Sequence, residues 1–170
     1  MLRPATEADL DVMREWRNQE PNRLASINSH EISAAEHRAW WTRTSADPTR
    51  RVLVFEREDG PAGVVSFFDL DLDAPRRSGA WGFYLDAERL EAREELVPAW
   101  MSVMREATRY AFDELRLDDL HGEVLADNVA VRNMNRLFRF VEGAGQPREV
   151  DGRRIVVIPI LLRRESRRRS

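Results

Sequence analysis

The side chains best equipped for chemistry fall in two places. The first holds Trp16, Arg17, Asn18 and Arg23, followed by Glu36 and His37. A histidine changes protonation near working pH, so His37 can serve as a general base, directly or through water, or can contact a substrate. Glu36 stands beside it, either as its catalytic companion or as the capping-box partner of Ser33. Arg17 and Arg23 carry planar guanidinium forks that match a carboxylate or a phosphate. Arg17 and Asn18 lie at a helix end that runs into irregular chain, whereas Trp16 has the alternative of the core. The second place is a corner. Strand Ala80–Leu85, with bulky residues on alternating sides and Gly82 among them, leads through an acidic connection into a long helix. The N–H groups at the start of such a helix suit a phosphate or a carbonyl oxygen.

Composition removes several other chemistries. There is no cysteine, and all 27 basic residues are arginine. Thiolate and lysine nucleophiles are therefore excluded. His30 and His121 have no partner at metal-ligand spacing, so no metal site is expected. The net charge is −3 with the two signs interspersed, which argues against nucleic acid as a partner. The exception is RRESRRRS at 163–170, read as a solvated arginine-rich tail, with a nucleic-acid arm as the alternative. No run reaches the length of a membrane span, and the first residues lack a signal peptide's apolar stretch, so a cytoplasmic protein without a membrane partner is expected.

The elements that must position these residues are legible from caps, turns and periodicity. Met1–Pro4 suits an edge strand. Thr6 caps a helix Glu7–Arg17 with Asp9 in the capping-box position, and Trp16–Ser33 reads as irregular. Ser33 opens a second helix to about Thr44. Arg51–Glu56 and Ala62–Asp69 pair around the Asp59-Gly60 turn. After Ala80–Leu85 comes the long helix. Leu96, Trp100, Val103, Met104, Ala107, Ala111 and Leu115 form its apolar side, and Ser102, Arg105, Glu106, Arg109, Asp113 and Arg116 the opposite face. His121–Leu125 is a buried strand, and Asn128 marks the start of a helix Ala130–Phe138. Val141–Val150 and Arg154–Leu162 form a hairpin around Asp151-Gly152, with Pro159 predicting a bulge or an edge. The result is one α/β domain over 1–162. It holds a mixed, mostly antiparallel sheet of six to seven strands with helices on both faces.

Three stretches of this chain resemble the GNAT superfamily of N-acyltransferases. WRN at Trp16–Asn18 with Arg23 and ISAAEHRAWW at Ile32–Trp41 resemble the ribosomal-protein and nucleotide-aminosugar N-acetyltransferase subgroups. WGFYL at Trp81–Leu85 resembles the strand that pairs with the pantetheine arm of acetyl-CoA. ADNVAVRNMNRLFRFVEG at Ala126–Gly143 resembles the segment after the next strand. The resemblance implies acyl transfer from acetyl-CoA, or another acyl-CoA, to the amine of a small molecule, an amino sugar or a nucleotide-linked amino sugar among the candidates. It implies donor contacts at the backbone N–H groups of Phe83, Tyr84 and Leu85, at Arg89 and Arg93, and at Asn128. It places the acceptor at Trp16, Arg17, Asn18, Arg23 and His37. Glu36, His37 and Asn135 fall where catalytic groups are expected, and a homodimer through the terminal strands is compatible with it.

The chain departs from the pattern in two places. Where the family has a glycine-rich pyrophosphate loop, this chain has Glu95-Leu96-Val97-Pro98-Ala99-Trp100, with Glu94 before it. Where the family has a tyrosine that protonates the leaving thiolate, it has Asn135, and Arg139 replaces a glycine before Phe140. Two further readings follow: a GNAT-like binding or regulatory module that no longer takes CoA, or an enzyme with a different acyl donor.

Overall fold

The structure, a computed structural model, describes residues 1–167. The chain opens with β1 (Leu2–Pro4) and a 3-10 turn at Glu7–Asp9 that leads into α1 (Leu10–Asn18). The Asp9 carboxylate accepts from the Thr6 N–H at 2.8 Å and from the Thr6 hydroxyl at 2.9 Å. It also takes both Nη1 and Nη2 of Arg3, each at 2.8 Å. The Arg3 hydrogen bonds hold the Asp9 carboxyl down to about 2 from an ordinary 3.8. Because the folded state binds this proton less readily than the unfolded chain, the contribution is complete above the ordinary value. It is lost as the pH falls from about 4 towards 2. Asp9→Ala is expected to cost about 1–2 kcal/mol through the lost cap and ion pair. Thermal melts at pH 7 and pH 2.5 test this: a gap between variant and wild type that fails to narrow in acid would contradict the assignment.

After α1 come α2 (Glu20–Ala25), α3 (Ala34–Ser45), β2 (Arg51–Arg57), β3 (Gly60–Asp71) and β4 (Ser78–Leu85). Next are α4 (Ala87–Ala92), α5 (Leu96–Arg109), a π-helical turn at Tyr110–Glu114, and β5 (Asp119–Leu125). The chain ends with α6 (Val129–Leu137), β6 (Val141–Glu142), β7 (Gln146–Val150), β8 (Arg153–Arg163) and α7 (Arg164–Arg167). Among the described residues the sheet has eight strands in the order β1-β2-β3-β4-β5-β8-β6, with β7 also on β8. All neighbours are antiparallel except β4 and β5.

Two predicted irregular stretches are helical. Pro21 lies in the first turn of α2, where its missing N–H costs nothing. The predicted strand 141–150 divides into β6 and β7. Pro159 stands opposite Glu123 in an unbroken β5–β8 register. On its other side β8 meets the irregularity expected of a bulge, since its pairing shifts by one residue between Glu142–Ile160 and Gln146–Val157. Its carbonyl accepts from the Gly143 N–H at 2.8 Å, so its other backbone position, the one lacking a hydrogen, faces the break between β6 and β7. The tail does not begin at Arg163. β8 runs through that residue, Arg164 donates to the Leu117 carbonyl at 2.8 Å, and Arg167 to Asp113 at 2.9 Å. Arg168 and Arg169 lie outside the described residues.

Each face of the sheet carries helices. Met13 and Trp16 of α1 pack on Val64, with Trp40 and Tyr84 at the margin. On the other face Val103, Met104, Ala107 and Ala111 cover Phe55, Val65, Phe67 and Trp81, and Val131, Met134 and Phe138 join them. The amphipathic reading of the long helix therefore holds, with the last turn loosened to π geometry.

Candidate active site

β4 and β5 pair only from Ser78 to Ala80, opposite Asp119 to His121, and then diverge. On its other side β4 stays paired with β3 as far as Leu85. The Asp86 N–H donates to the Ala62 carbonyl at 2.9 Å, which sets the phase of that antiparallel ladder. Counting back in steps of two, Tyr84 and Gly82 turn their backbone groups to β3. Phe83 and Leu85 turn theirs the opposite way, into the gap that β5 has left. The expectation for Tyr84 is thereby corrected: its N–H belongs to the sheet, and only those of Phe83 and Leu85 face the cleft. The Leu85 carbonyl on that edge is held by Asn22 Nδ2 at 2.7 Å.

The cleft between the diverging strands has a volume of about 350 Å3. Trp81, Phe83, Trp100 and Val124 give it apolar walls, and Asn128 and Asn135 line it too. The Trp100 Nε1–H is buried without a hydrogen-bond partner. An orphaned donor of this kind is costly unless a ligand carbonyl meets it. Asn128 accepts the Val131 N–H at 3.2 Å, so it caps α6 as well as lining the cleft. Asn135 is 3 % exposed, and among the described residues its side chain makes no hydrogen bond. These features fit the amide-bearing pantetheine arm of CoA, which would lie along β4.

The corner where the diphosphate of CoA would sit fits poorly. Leu96 and Val97 open α5 with N–H groups that have no intrahelical partner, but Pro98 has none to offer. Glu94 and Glu95 flank them, and Glu94 is held at φ 58, a conformation that favours glycine. Arg89 and Arg93, expected as phosphate contacts, are engaged elsewhere. Both donate to Asp59 Oδ2, at 2.9 and 2.7 Å, and Arg89 also bonds Asp86 and the Pro61 carbonyl. Arg57 takes Glu95 at 3.0 Å. The corner is closed upon itself by ion pairs.

A second cavity, of about 510 Å3, opens on the other face of β4 and is lined by Arg17, His37, Trp40 and Tyr84, among others. Tyr84 also lines the first cleft. His37 is 6 % exposed and stacks on Trp40 with centroids 5.1 Å apart. Burial, followed by the nearby Arg14, pushes its pKa below the ordinary range and leaves a neutral ring. Burial pushes the Tyr84 phenol up. Glu36 is an exposed cap: its Oε2 accepts the Ser33 N–H at 2.8 Å and its Oε1 meets His30 at 3.2 Å. The Ser33 N–H lowers its pKa, which keeps it ionised. It does not bond His37.

The WRN run divides among three roles. Trp16, 4 % exposed, is core and not a substrate contact. Asn18 exchanges two bonds with the Ile32 backbone, at 2.9 and 2.8 Å, and Arg23 donates to the Ser29 carbonyl at 3.2 Å. Those two brace the loop between α2 and α3, and only Arg17 reaches the cavity. Several residues not singled out from the sequence tie this loop region to the cleft. Gln19 Nε2 donates to Asp86 at 2.9 Å with both residues buried, and Asn22 bridges Leu85 and Trp16. Glu123 lines the cleft and pairs with Arg148. The early proline of α2 is the signal that would have revealed Asn22. Among the described residues no cluster suits a metal ion, and no helix is long and apolar enough to cross a membrane.

Comparison with known proteins agrees with this geometry. A family model described as the acetyltransferase (GNAT) domain matches residues 1–137. No curated protein matches the sequence. Among solved structures, spermidine N-acetyltransferase from Vibrio cholerae in complex with CoA and spermine is similar, with TM-score 0.80 and 19 % identity over 97 % of this chain and 95 % of that one. A putative phosphinothricin N-acetyltransferase is similar with TM-score 0.76 and 20 % identity, covering 96 % of this chain and 97 % of its own. At these identities the likeness shows the fold, and the family model shows the lineage: the chain belongs to the GNAT acetyltransferase family.

Proposed function

We propose that the protein is an N-acyltransferase that takes its acyl donor in the β4–β5 cleft and an amine acceptor in the cavity beside Arg17 and His37. The observation that carries this is the splay of β4 from β5, which exposes the Phe83 and Leu85 N–H groups beside the unpaired Trp100 Nε1–H. Acetyl-CoA, the donor this reading favours, supplies an activated thioester. The chain supplies position and polarity. N–H groups on the open strand edge are aimed where a carbonyl oxygen gains charge. The neutral His37 can accept the proton that the amine nitrogen sheds as its bond to carbon forms. Asn135 can donate a hydrogen bond that would stabilise the departing sulfur as a thiolate when its bond to carbon breaks, and solvent would then supply the sulfur's proton. Glu36, fixed as a cap, is left without a catalytic part.

The acceptor is a small metabolite, and an amino sugar or nucleotide-linked amino sugar agrees with the flat Trp40–His37 wall. A polyamine such as the one bound by the Vibrio cholerae neighbour suits an arginine-lined cavity poorly. A cytoplasmic location fits this chemistry, since that is where acyl-CoA donors are made, and the open sheet edge beside the exposed Val141 is where a homodimer would form.

The closed corner favours a second reading, in which the domain draws nothing from the CoA diphosphate and uses a different donor, or has become a binding module. Calorimetric titration with acetyl-CoA and with pantetheine separates these. Tighter binding of acetyl-CoA, by about tenfold or more, supports the first reading. Equal binding supports a donor lacking the nucleotide, and no heat from either removes transferase function. Glu94→Gly frees a strained left-handed residue and removes a charge beside the α5 N-terminus. Relief of the positive φ and loss of the favourable charge at the helix N-terminus oppose each other, so stability is expected to change by less than about 1 kcal/mol while CoA affinity rises about fivefold. Unchanged affinity would place the diphosphate elsewhere.

A further inference from the structure

We propose that the cavity beside Arg17 recognises an anionic group on the acceptor, so that the substrate is an amine that also carries a carboxylate or a phosphate. The inference rests on reading this cavity as the acceptor site. Arg17 Nη2 donates to the Asn28 carbonyl at 2.7 Å, whereas Nη1 is buried with no partner. Among the described residues no carboxylate lies within ion-pair distance of Arg17. A half-buried guanidinium without a counter-ion is a standing cost, and burial indeed lowers its pKa. An anion at Nη1 relieves that cost through a charge-assisted bond.

The wall holds one carboxylate, Glu36, and it is engaged elsewhere. The charged side chains of the wall are Arg17, Arg43 and Glu36, with His30 and His37. Glu36 has one oxygen on the Ser33 N–H and the other on His30, so it is not free to turn to Arg17. From α1, Arg14 adds positive potential at His37, and Asp11 of the same helix partly offsets it. A polyamine, carrying only positive charge, meets repulsion here. An amine with an anionic end can dock that end on Arg17 and leave its nitrogen towards Tyr84, the residue shared with the donor cleft.

The test uses matched probes that differ only in the anion. These are glucosamine 6-phosphate against glucosamine, and L-phenylalanine against L-phenylalaninamide, with spermidine as the cationic control. Calorimetry is expected to show the anionic member of one pair binding at least about tenfold tighter than its neutral counterpart. The pair that responds tells phosphate from carboxylate. Arg17→Gln is expected to close the gap to about twofold, and Arg17→Lys to keep the greater part of it. Inorganic phosphate or acetate should likewise raise the melting temperature of the wild type above that in chloride at equal ionic strength, and not that of the glutamine variant. Equal binding within both pairs, tighter binding of spermidine, a gap unchanged in Arg17→Gln, or no anion effect in either assay overturns the proposal. Arg17-dependent anion binding by a protein that binds no acetyl-CoA would leave it standing and remove the transferase reading. Acetylation of spermidine would do the reverse.

Discussion

Gly82→Val is expected to leave the fold intact and to stop acyl transfer, lowering kcat/KM by on the order of 100-fold with whichever acceptor probe turns over. Gly82 stands opposite Ser66 in an unbroken stretch of the β3–β4 ladder. A Cβ added there would meet nothing within 4 Å, so no backbone or side chain has to move. Valine suits a strand better than glycine does, and the melting temperature should hold or rise by a few degrees, about 0.5–1 kcal/mol. The two methyl groups would instead occupy open space on the face of β4 opposite the one that carries Trp81 and Phe83. They would project from the same face of β4 as Tyr84, where the donor cleft and the acceptor cavity adjoin. The readout is thiol release together with a thermal melt. Full activity in a stable variant would show that the two substrates do not meet at this strand. Lost activity with a collapsed melting temperature would show that Gly82 is required for folding instead.

The largest effect on stability is expected at Phe67, which is 1 % exposed. Its ring lies between Tyr110 of the π-helical turn and Trp81 of β4, with centroids 5.5 and 6.5 Å away. Trp81 continues the stack to Phe83 at 5.4 Å and Phe140 at 5.8 Å, and Phe83 meets Trp100 edge-on at 6.4 Å. Phe67→Ala removes the centre of this array and leaves a cavity beneath the cleft wall. The expected cost is about 3–5 kcal/mol, or a melting temperature lower by about 6–20 °C. Phe67→Leu should recover more than half of that. Because Trp81 and Phe83 line the cleft, donor affinity should fall with stability in the alanine variant. A small loss, below about 1 kcal/mol, would show that the site collapses around the gap and that the stack does not set the shape of the cleft.

Much of the scaffold could be read from local signals. The Thr6/Asp9 and Ser33/Glu36 caps, the turns at Asp59-Gly60 and Asp151-Gly152 and the apolar side of α5 depend on residues within a few positions of one another. They emerge as expected. The two missed helices are short. A helix of six residues is marginal by itself, and α2 and α4 are held by Gln19 and Asn22 reaching Asp86 and Leu85 across more than sixty positions of chain.

The site divides the same way. The sequence alone determined which residue types were available: a family likeness, a histidine able to act near neutral pH, arginine as the sole cationic side chain, and no thiol. Tertiary structure alone decided which of them face a substrate. In WRN, successive residues point about 100° apart on a helix, so one turn sends Trp16 to the core, Arg17 to the cavity and Asn18 to the loop. In β4 the alternation was visible, but its phase against β3 was not, and that phase gives the free N–H groups to Phe83 and Leu85 and denies one to Tyr84. Every arginine looks alike in one dimension. The folded chain spends Arg89 and Arg93 on Asp59 and leaves one nitrogen of Arg17 unmatched, because ion pairing depends on distances that only the packed elements set.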